Sequence, residues 1–184
     1  HPTLRRQRQM CIRDSPDSAM ALARRCDDYN RQRRDLCDAI EAEAVALVEA
    51  ESDEALPSFL LLAQSHWHHG VIGIVAARLM ERYHRPTALL AGEGDGSLRA
   101  SVRGPIGFAV DRALSSCSDL LTRFGGHPAA GGFTVKAELV HALHERLCAE
   151  ADSWLMTQAK GRPVQPDALL QLKDVNWDLW RHLQ

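Results

Sequence analysis

The sequence contains no C-x-x-C pair, and its five cysteines are an odd number spread from Cys11 to Cys148. This excludes a framework of paired disulfides and a zinc knuckle, and it favours reduced thiols in a cytosolic protein. No apolar run approaches the roughly 20 residues that a transmembrane helix needs. The basic N-terminus has no apolar segment behind it, so a secretory signal is also excluded. We therefore expect a cytoplasmic protein with no membrane partner.

Clusters of acidic residues at metal-ligand spacing are missing too. Glu93 and Asp95 stand alone in a predicted turn, whereas a two-metal nuclease centre needs several ligands together. The segment His66–Gly70 (HWHHG) has three histidines, but it has no carboxylate at ligand spacing and no H-E-x-x-H pattern. We predict that Trp67 is a packing anchor and that His68 orients a loop. This chain is expected to hold no metal ion.

The charge balance limits the kind of nucleic-acid contact that is possible. The formal net charge is −2, with 22 Lys and Arg against 24 Asp and Glu. A surface of uniformly positive potential is therefore excluded, and contact with nucleic acid has to be local. The hydrophobic fraction of 45% is ordinary for a globular domain and is sufficient for a core.

Helical and strand patterns alternate along the chain, which predicts an α/β fold. Residues 1–16 show no periodicity, stay unassigned and resemble a translated sequencing adaptor as much as protein, while 161–184 read as the start of a further unit. We interpret both ends as cut. The predicted elements are a long helix within 17–55, strands over 59–63, 87–91, 97–103 and 133–136, and helices over 71–83, 108–124 and 138–157.

The strongest local motif is Phe124–Phe133, FGGHPAAGGF. Consecutive glycines in a loop can present their N–H groups to an anion, and a following helical turn would add a favourable dipole. His127 within the motif can donate a hydrogen bond to a phosphate oxygen. A glycine-rich turn with a structural histidine is the alternative, and composition alone favours it.

The second motif is the predicted strand Ser97–Arg103. Period-two alternation places Arg99, Ser101 and Arg103 on one face and the apolar residues between them on the other. Two guanidinium groups flanking a hydroxyl suit phosphodiester oxygens. A solvated polar face would have the same pattern, so both interpretations stay open.

These motifs together resemble the C-terminal half of RecJ-type exonucleases of the DHH phosphoesterase superfamily. The resemblance covers about residues 17–184. It rests on Trp67–Arg78 (WHHGVIGIVAAR), Arg85-Pro86, the Ser101/Arg103 strand and Phe124–Gly132 in their order and approximate spacing. It implies a DHH-associated domain over 56–160 with a mixed sheet flanked by helices. A connector helix (17–55) would precede this domain, and the truncated start of an oligonucleotide-binding barrel (161–184) would follow it.

The resemblance also implies an activity. It predicts a 5′→3′ exonuclease on single-stranded DNA that acts in repair and recombination, with Mn²⁺ or Mg²⁺ held by an absent DHH domain. The parent protein could have single-stranded-DNA-binding protein or a helicase as partner, and the fragment alone is expected to be inactive. By the same resemblance, Gly125, Gly126 and His127 bind the scissile phosphate, His127 with a catalytic role. Ser101 and Arg103, with Arg99 beside them, hold neighbouring backbone.

Two positions depart from the family pattern, and two other functions compete with this one. Ala100 stands where glycine is common, and Gly104 stands where a serine usually follows the arginine, which removes one expected phosphate contact. The competing functions are a nanoRNA oligoribonuclease or phosphoadenosine phosphatase of the same superfamily, and a nucleic-acid-binding module without catalysis. The long helix and the continuation after residue 161 count against the smaller enzymes.

Overall fold

The computed structural model describes residues 16–50 and 56–158, together with Trp177 and Arg181. The predictions for 1–16 and 161–184 therefore lie almost wholly outside the described residues. In chain order the elements are α1 (Pro16–Ala50), β1 (Leu60–Gln64), α2 (Ile72–Tyr83), β2 (Thr87–Gly92), β3 (Ser97–Arg103), α3 (Val110–Ser116), β4 (Leu121–His127), β5 (Ala130–Lys136), a 3₁₀ turn (Ala137–Leu139) and α4 (Val140–Gln158). No helix among these residues combines the length and apolar character needed to cross a bilayer.

The five strands form one mixed sheet in the order β1-β2-β3-β5-β4. The β1–β2 pair is parallel, and α2 makes the crossover between the two strands; the other pairs are antiparallel. The strand β2 is buried on both faces, as expected for an uninterrupted apolar run in the middle of a sheet. The predicted α/β fold with a mixed sheet is confirmed.

Helices cover the two faces of the sheet unequally. On one face, α3 and α4 cover the sheet, and their side chains join those of Leu90, Val102 and Phe133 in a continuous core. On the other face, α1 and α2 pack around Leu89 and Ala91 of β2. That second face consequently stays open over β5, β4 and the Arg99 end of β3, whereas the first turn of α2 packs against Ser101 and Arg103.

The C-terminal half of α1 attaches this helix to the rest of the domain. Cys37, Ile40 and Ala44 are buried against α2, at the spacing of one helix face. On the neighbouring surface, Nη1 of Arg78 lies 2.9 Å from Asp38 Oδ1 and 2.6 Å from Glu41 Oε2. These two carboxylates raise the pKa of the Arg78 guanidinium further above its ordinary value. Packing and charge thus fix α1 to α2.

The prediction of a helix over 108–124 is wrong beyond Ser116. The chain turns after α3, where the N–H of Cys117 donates to Leu114 O, and residues 121–127 form β4. Apolar residues continue at helical spacing through this turn, which explains the error: Leu121 is buried in the core beneath the sheet rather than along a helix. The strand at 97–103 is confirmed at both ends, and the last strand begins at Ala130 rather than 133.

Candidate nucleic-acid interface

Strand register places the polar residues of β3 and β4 on the open face of the sheet. Residues paired across neighbouring strands point to the same side, and side chains alternate along each strand. Three rows therefore share this face, which we call the open face: Arg103–Ala130–His127, Ser101–Gly132–Gly125 and Arg99–Thr134–Arg123. Basic side chains stand in the two outer rows, and the middle row carries nothing larger than a serine.

A groove of about 620 Å³ occupies part of the open face. Arg99, Ser101 and Arg123 line it, together with Thr134 of β5 and His69 from the turn before α2. Arg103, Gly125 and His127 are not among its lining residues. The groove therefore covers one outer row and part of the middle row, while the remaining outer row lies outside it.

The first turn of α2 holds one end of β3. A Cβ added at Gly73 would lie 2.7 Å from Ser101 Oγ and 3.0 Å from Arg103 Nη2, so the helix approaches the strand as closely as only glycine permits. The guanidinium of Arg103 also donates from Nη1 to Val102 O at 2.8 Å and to Ser101 Oγ at 3.2 Å. Arg103 is thus half-buried and oriented, with other N–H donors left for an acceptor.

His127 lies exposed at the end of β4. Its ring has no hydrogen bond or ion pair within residues 16–50 and 56–158. It shares a row with Arg103, two strand spacings away, which places the two Cα atoms about 10 Å apart. The two side chains can therefore reach toward one group between them from opposite sides.

The glycine motif forms a hairpin rather than an anion-binding loop, which corrects the prediction. Gly125, Gly126 and His127 lie in β4, and the motif continues into β5 instead of a helical turn. Successive N–H groups of a strand point in opposite directions, so Gly125 and Gly126 cannot direct both toward one anion. The glycines have separate steric roles, because a Cβ at Gly125 would meet nothing within 4 Å whereas one at Gly126 would lie 2.6 Å from Ala130 O.

Arg123 and Thr134 are open-face residues that the sequence did not indicate. The predicted helix over 108–124 hid the alternation of β4, and only the strand assignment reveals that Arg123 is aligned with Arg99. Glu93 has a basic partner that the sequence did not indicate, because its Oε1 lies 3.9 Å from Arg99 Nη1. Arg123 has no ion pair or side-chain hydrogen bond within the described part of the chain.

The HWHHG segment borders the groove and is tied to α1. Trp67 is 3% exposed, and its Nε1 donates to Glu43 Oε2 at 2.8 Å; His66 Nε2 lies 3.0 Å from the same oxygen. These contacts, the Trp67 hydrogen bond first, hold the pKa of Glu43 below its ordinary value. The N–H of Gly70 donates to His68 Nδ1 at 3.0 Å. The predicted roles of Trp67 and His68 are confirmed.

No metal-binding group accompanies these histidines. Within the described ranges, no three His, Cys, Asp or Glu side chains are grouped so that they could hold a metal ion.

Comparison with known proteins assigns the family. The model of the family described as the DHHA1 domain matches residues 36–156, a span that includes all three rows of the open face. The chain belongs to the DHHA1 domain family. The DHHA1 match begins inside α1, at the part of the helix that packs on α2.

The relatives of this DHHA1 domain are RecJ exonucleases. The single-stranded-DNA-specific exonuclease RecJ of Bacillus subtilis (strain 168) is 36% identical over 159 residues, which cover 85% of this chain and 20% of that protein. RecJ of Escherichia coli (strain K12) is 32% identical over 148 residues, 77% of this chain and 26% of the relative. The chain is therefore homologous to RecJ over most of its length but spans about a fifth to a quarter of these relatives.

A solved structure supports the same relationship. The crystal structure of RecJ in complex with Mn²⁺ from Thermus thermophilus superposes with a TM-score of 0.69 at 31% identity, covering 86% of this chain and 22% of that one. A second structure of the same protein was solved with Mg²⁺. The fold of the DHHA1 domain described here is thus shared with RecJ.

Proposed function

We propose that this DHHA1 domain binds the phosphate backbone of single-stranded DNA as the strand-gripping part of a RecJ-like 5′→3′ exonuclease. The observation that carries the proposal is the open face, where basic side chains flank a row of small residues on strands that are covered only at the Ser101–Arg103 end of β3, by the first turn of α2. Guanidinium groups and exposed N–H donors recognise phosphate oxygens independently of sequence. The homology to RecJ supplies single-stranded DNA as the substrate class.

Each residue has a distinct part in this proposal. Arg103 and His127 approach the scissile phosphate from opposite sides, with one of the two edge-strand N–H groups of Gly125 and Gly126 beside it. The Ser101 hydroxyl accepts from Arg103 and can donate its own proton to the adjoining phosphodiester. Arg99 adds positive potential farther along β3. In the complete protein, His127 would stabilise the negative charge that develops on the phosphate during hydrolysis.

Hydrolysis itself is proposed to need the rest of the parent protein. The RecJ structures from Thermus thermophilus contain Mg²⁺ or Mn²⁺, which polarise a phosphate and activate water when bound. The described residues of this chain form no group that fits such ions. The 184-residue chain is therefore expected to bind single-stranded DNA without digesting it when Mn²⁺ is added.

Binding by the chain tests this function directly. Fluorescence anisotropy with labelled oligothymidylate should show that Arg103→Gln weakens binding about tenfold, because charge-assisted hydrogen bonds are lost. The slope of log K against log salt should fall by about 0.7 for the lost phosphate contact.

His127→Ala should also weaken binding while leaving the melting temperature unchanged, because the ring is exposed and unpaired.

Arg112→Gln is the matched control, because this exposed arginine lies on α3, across the sheet from the open face. It removes one positive charge without touching the proposed site. Equal effects of Arg112→Gln and Arg103→Gln, or an unchanged salt slope in Arg103→Gln, would contradict phosphate binding at the open face.

A further inference from the structure

The outer row Arg99–Thr134–Arg123 is not needed for the scissile phosphate. We propose that it is a second phosphate position, so that the domain recognises two separated phosphates of one strand rather than a single terminal phosphate. This inference rests on the proposed function and deepens it, since it specifies an oligonucleotide, not a mononucleotide or dinucleotide, as the ligand of the open face.

The two outer rows hold their β3 guanidinium groups at opposite ends of the strand. Arg99 and Arg103 are four residues apart on β3, which separates their Cα atoms by about 13 Å. The Arg103 guanidinium is held at Ser101 Oγ and Val102 O, and the Arg99 guanidinium lies beside Glu93, so each is kept near its own end of β3 and meets a different nucleotide of one strand. The two rows therefore act on different points of the backbone.

The middle row leaves a passage between these two points. A Cβ added at Gly125 would meet nothing within 4 Å, and at Gly132 only the carbonyl oxygen of Ala100, at 3.1 Å, lies within that distance. Ser101 completes the row with a small hydroxyl side chain. The first turn of α2 lies against Ser101, so a sugar-phosphate chain can pass from one outer row to the other over Gly132 and Gly125 without displacing a side chain.

The charges of the second row favour an anionic ligand. Arg123 is exposed and has no ion pair or side-chain hydrogen bond among the described residues, and it is aligned with Arg99 across Thr134. Two aligned cations repel each other, and an anion between them relieves that repulsion. Thr134 stands between them in the row and lines the groove.

Glu93 is the one acidic side chain that lines the same groove within the described ranges. Its carboxylate lies 3.9 Å from Arg99, and both side chains are substantially exposed, so the pair is weak and can yield to a phosphate. It nevertheless competes for the Arg99 guanidinium. Removing its charge should therefore strengthen binding at the second position only.

Binding as a function of ligand length tests the inference. Competition anisotropy on the 184-residue chain would compare 5′-phosphorylated oligothymidylates of about 2 and about 12 nucleotides, which bracket the site sizes of single-strand-binding modules. Arg123→Gln should weaken binding of the long oligomer roughly two- to fivefold and lower its salt slope by about 0.7, with the dinucleotide unchanged. Glu93→Gln should tighten binding of the long oligomer alone.

The other variants separate failure of this inference from failure of the proposed function. Arg103→Gln should weaken the binding of both oligomers, and Arg112→Gln should leave the binding of both unchanged. If Arg103→Gln behaves as expected but Arg123→Gln affects both lengths equally, or neither, the second phosphate position is refuted while the first stands. If Arg103→Gln has no effect on either ligand, the proposed function itself fails.

Discussion

Glu43 connects the long helix to the turn that borders the groove. One carboxylate oxygen accepts from buried Trp67 and contacts His66, so a single side chain on α1 fixes the position of the HWHHG segment. His69 and Gly70 of the same segment line the groove. The wall of the proposed DNA site therefore depends on one charged hydrogen bond from a different element.

The lowered pKa of Glu43 makes this connection dependent on pH. A carboxyl whose folded pKa is depressed stabilises the fold at pH values above its unfolded pKa, here near 4.5, and that contribution is lost as pH falls through the lower folded value. Glu43→Gln keeps an acceptor for Trp67 but does not titrate. The stability difference between the original chain and Glu43→Gln, measured by urea unfolding, should shrink as pH falls below 4.5. A difference that is constant with pH would show that the charge has no role.

About half of the residues on the open face could be predicted from the sequence. Alternation along Ser97–Arg103 identified Arg99, Ser101 and Arg103, because a strand with one buried face leaves a period-two pattern. Arg123 left no comparable pattern, since every residue of β4 after Leu121 is exposed. An edge strand with no buried alternation cannot be recognised from its own residues, and its face is defined only by pairing with β5.

The β4–β5 hairpin is the element whose glycines combine structure and proposed function. Gly126 and Gly131 are paired and point toward the covered face, where a Cβ at Gly131 would lie 2.9 Å from Val110 Cγ1. Gly125 and Gly132 point to the open face. The sequence suggested one role for the whole FGGHPAAGGF motif. Because residues alternate between the two faces of a strand, Gly126 and Gly131 instead allow close packing on the covered face, and Gly125 and Gly132 leave the open face free of side chains.

Paired substitutions distinguish these two roles. Gly126→Ala should destabilise the fold by about 1–3 kcal/mol, because its methyl group would collide with the backbone of β5. Gly125→Ala should change stability by no more than about 0.5 kcal/mol, because its methyl group meets nothing within 4 Å, yet it should weaken oligothymidylate binding by narrowing the passage. Thermal unfolding and anisotropy on both variants measure this. Undiminished binding in Gly125→Ala would contradict the proposed path of the strand.

Errors in the predicted elements have a common physical origin. The helix over 108–124 was predicted too long because Ala113, Leu114, Cys117 and Leu121 have helical spacing, although the chain reverses between the last two. All four are buried in one core beneath the sheet. Buried residues from a turn and a following strand can have the same sequence spacing as one face of a helix. Only the tertiary fold distinguishes these two cases.

For the molecule as a whole, the decisive feature is unequal covering of the sheet. Two helices and the apolar cluster around Phe133 close one face, while α1 and α2 close β1, β2 and the Ser101–Arg103 end of β3 on the other. The overall charge is close to neutral, so the contact proposed here relies on the local arginines of the open face rather than on a generally positive surface. The open face belongs to a DHHA1 domain, and its fold is shared with RecJ.

Chemical-shift mapping with a single-stranded oligothymidylate tests the central claim most directly, because it reports which face of the sheet meets the strand. In ¹⁵N-labelled protein we expect the amide signals of Gly125, Gly132 and His127 to shift progressively and that of Arg112 on α3 to stay unchanged. Shifts confined to the helix-covered face, or none at ligand concentrations that saturate binding, would contradict a phosphate site on the open face.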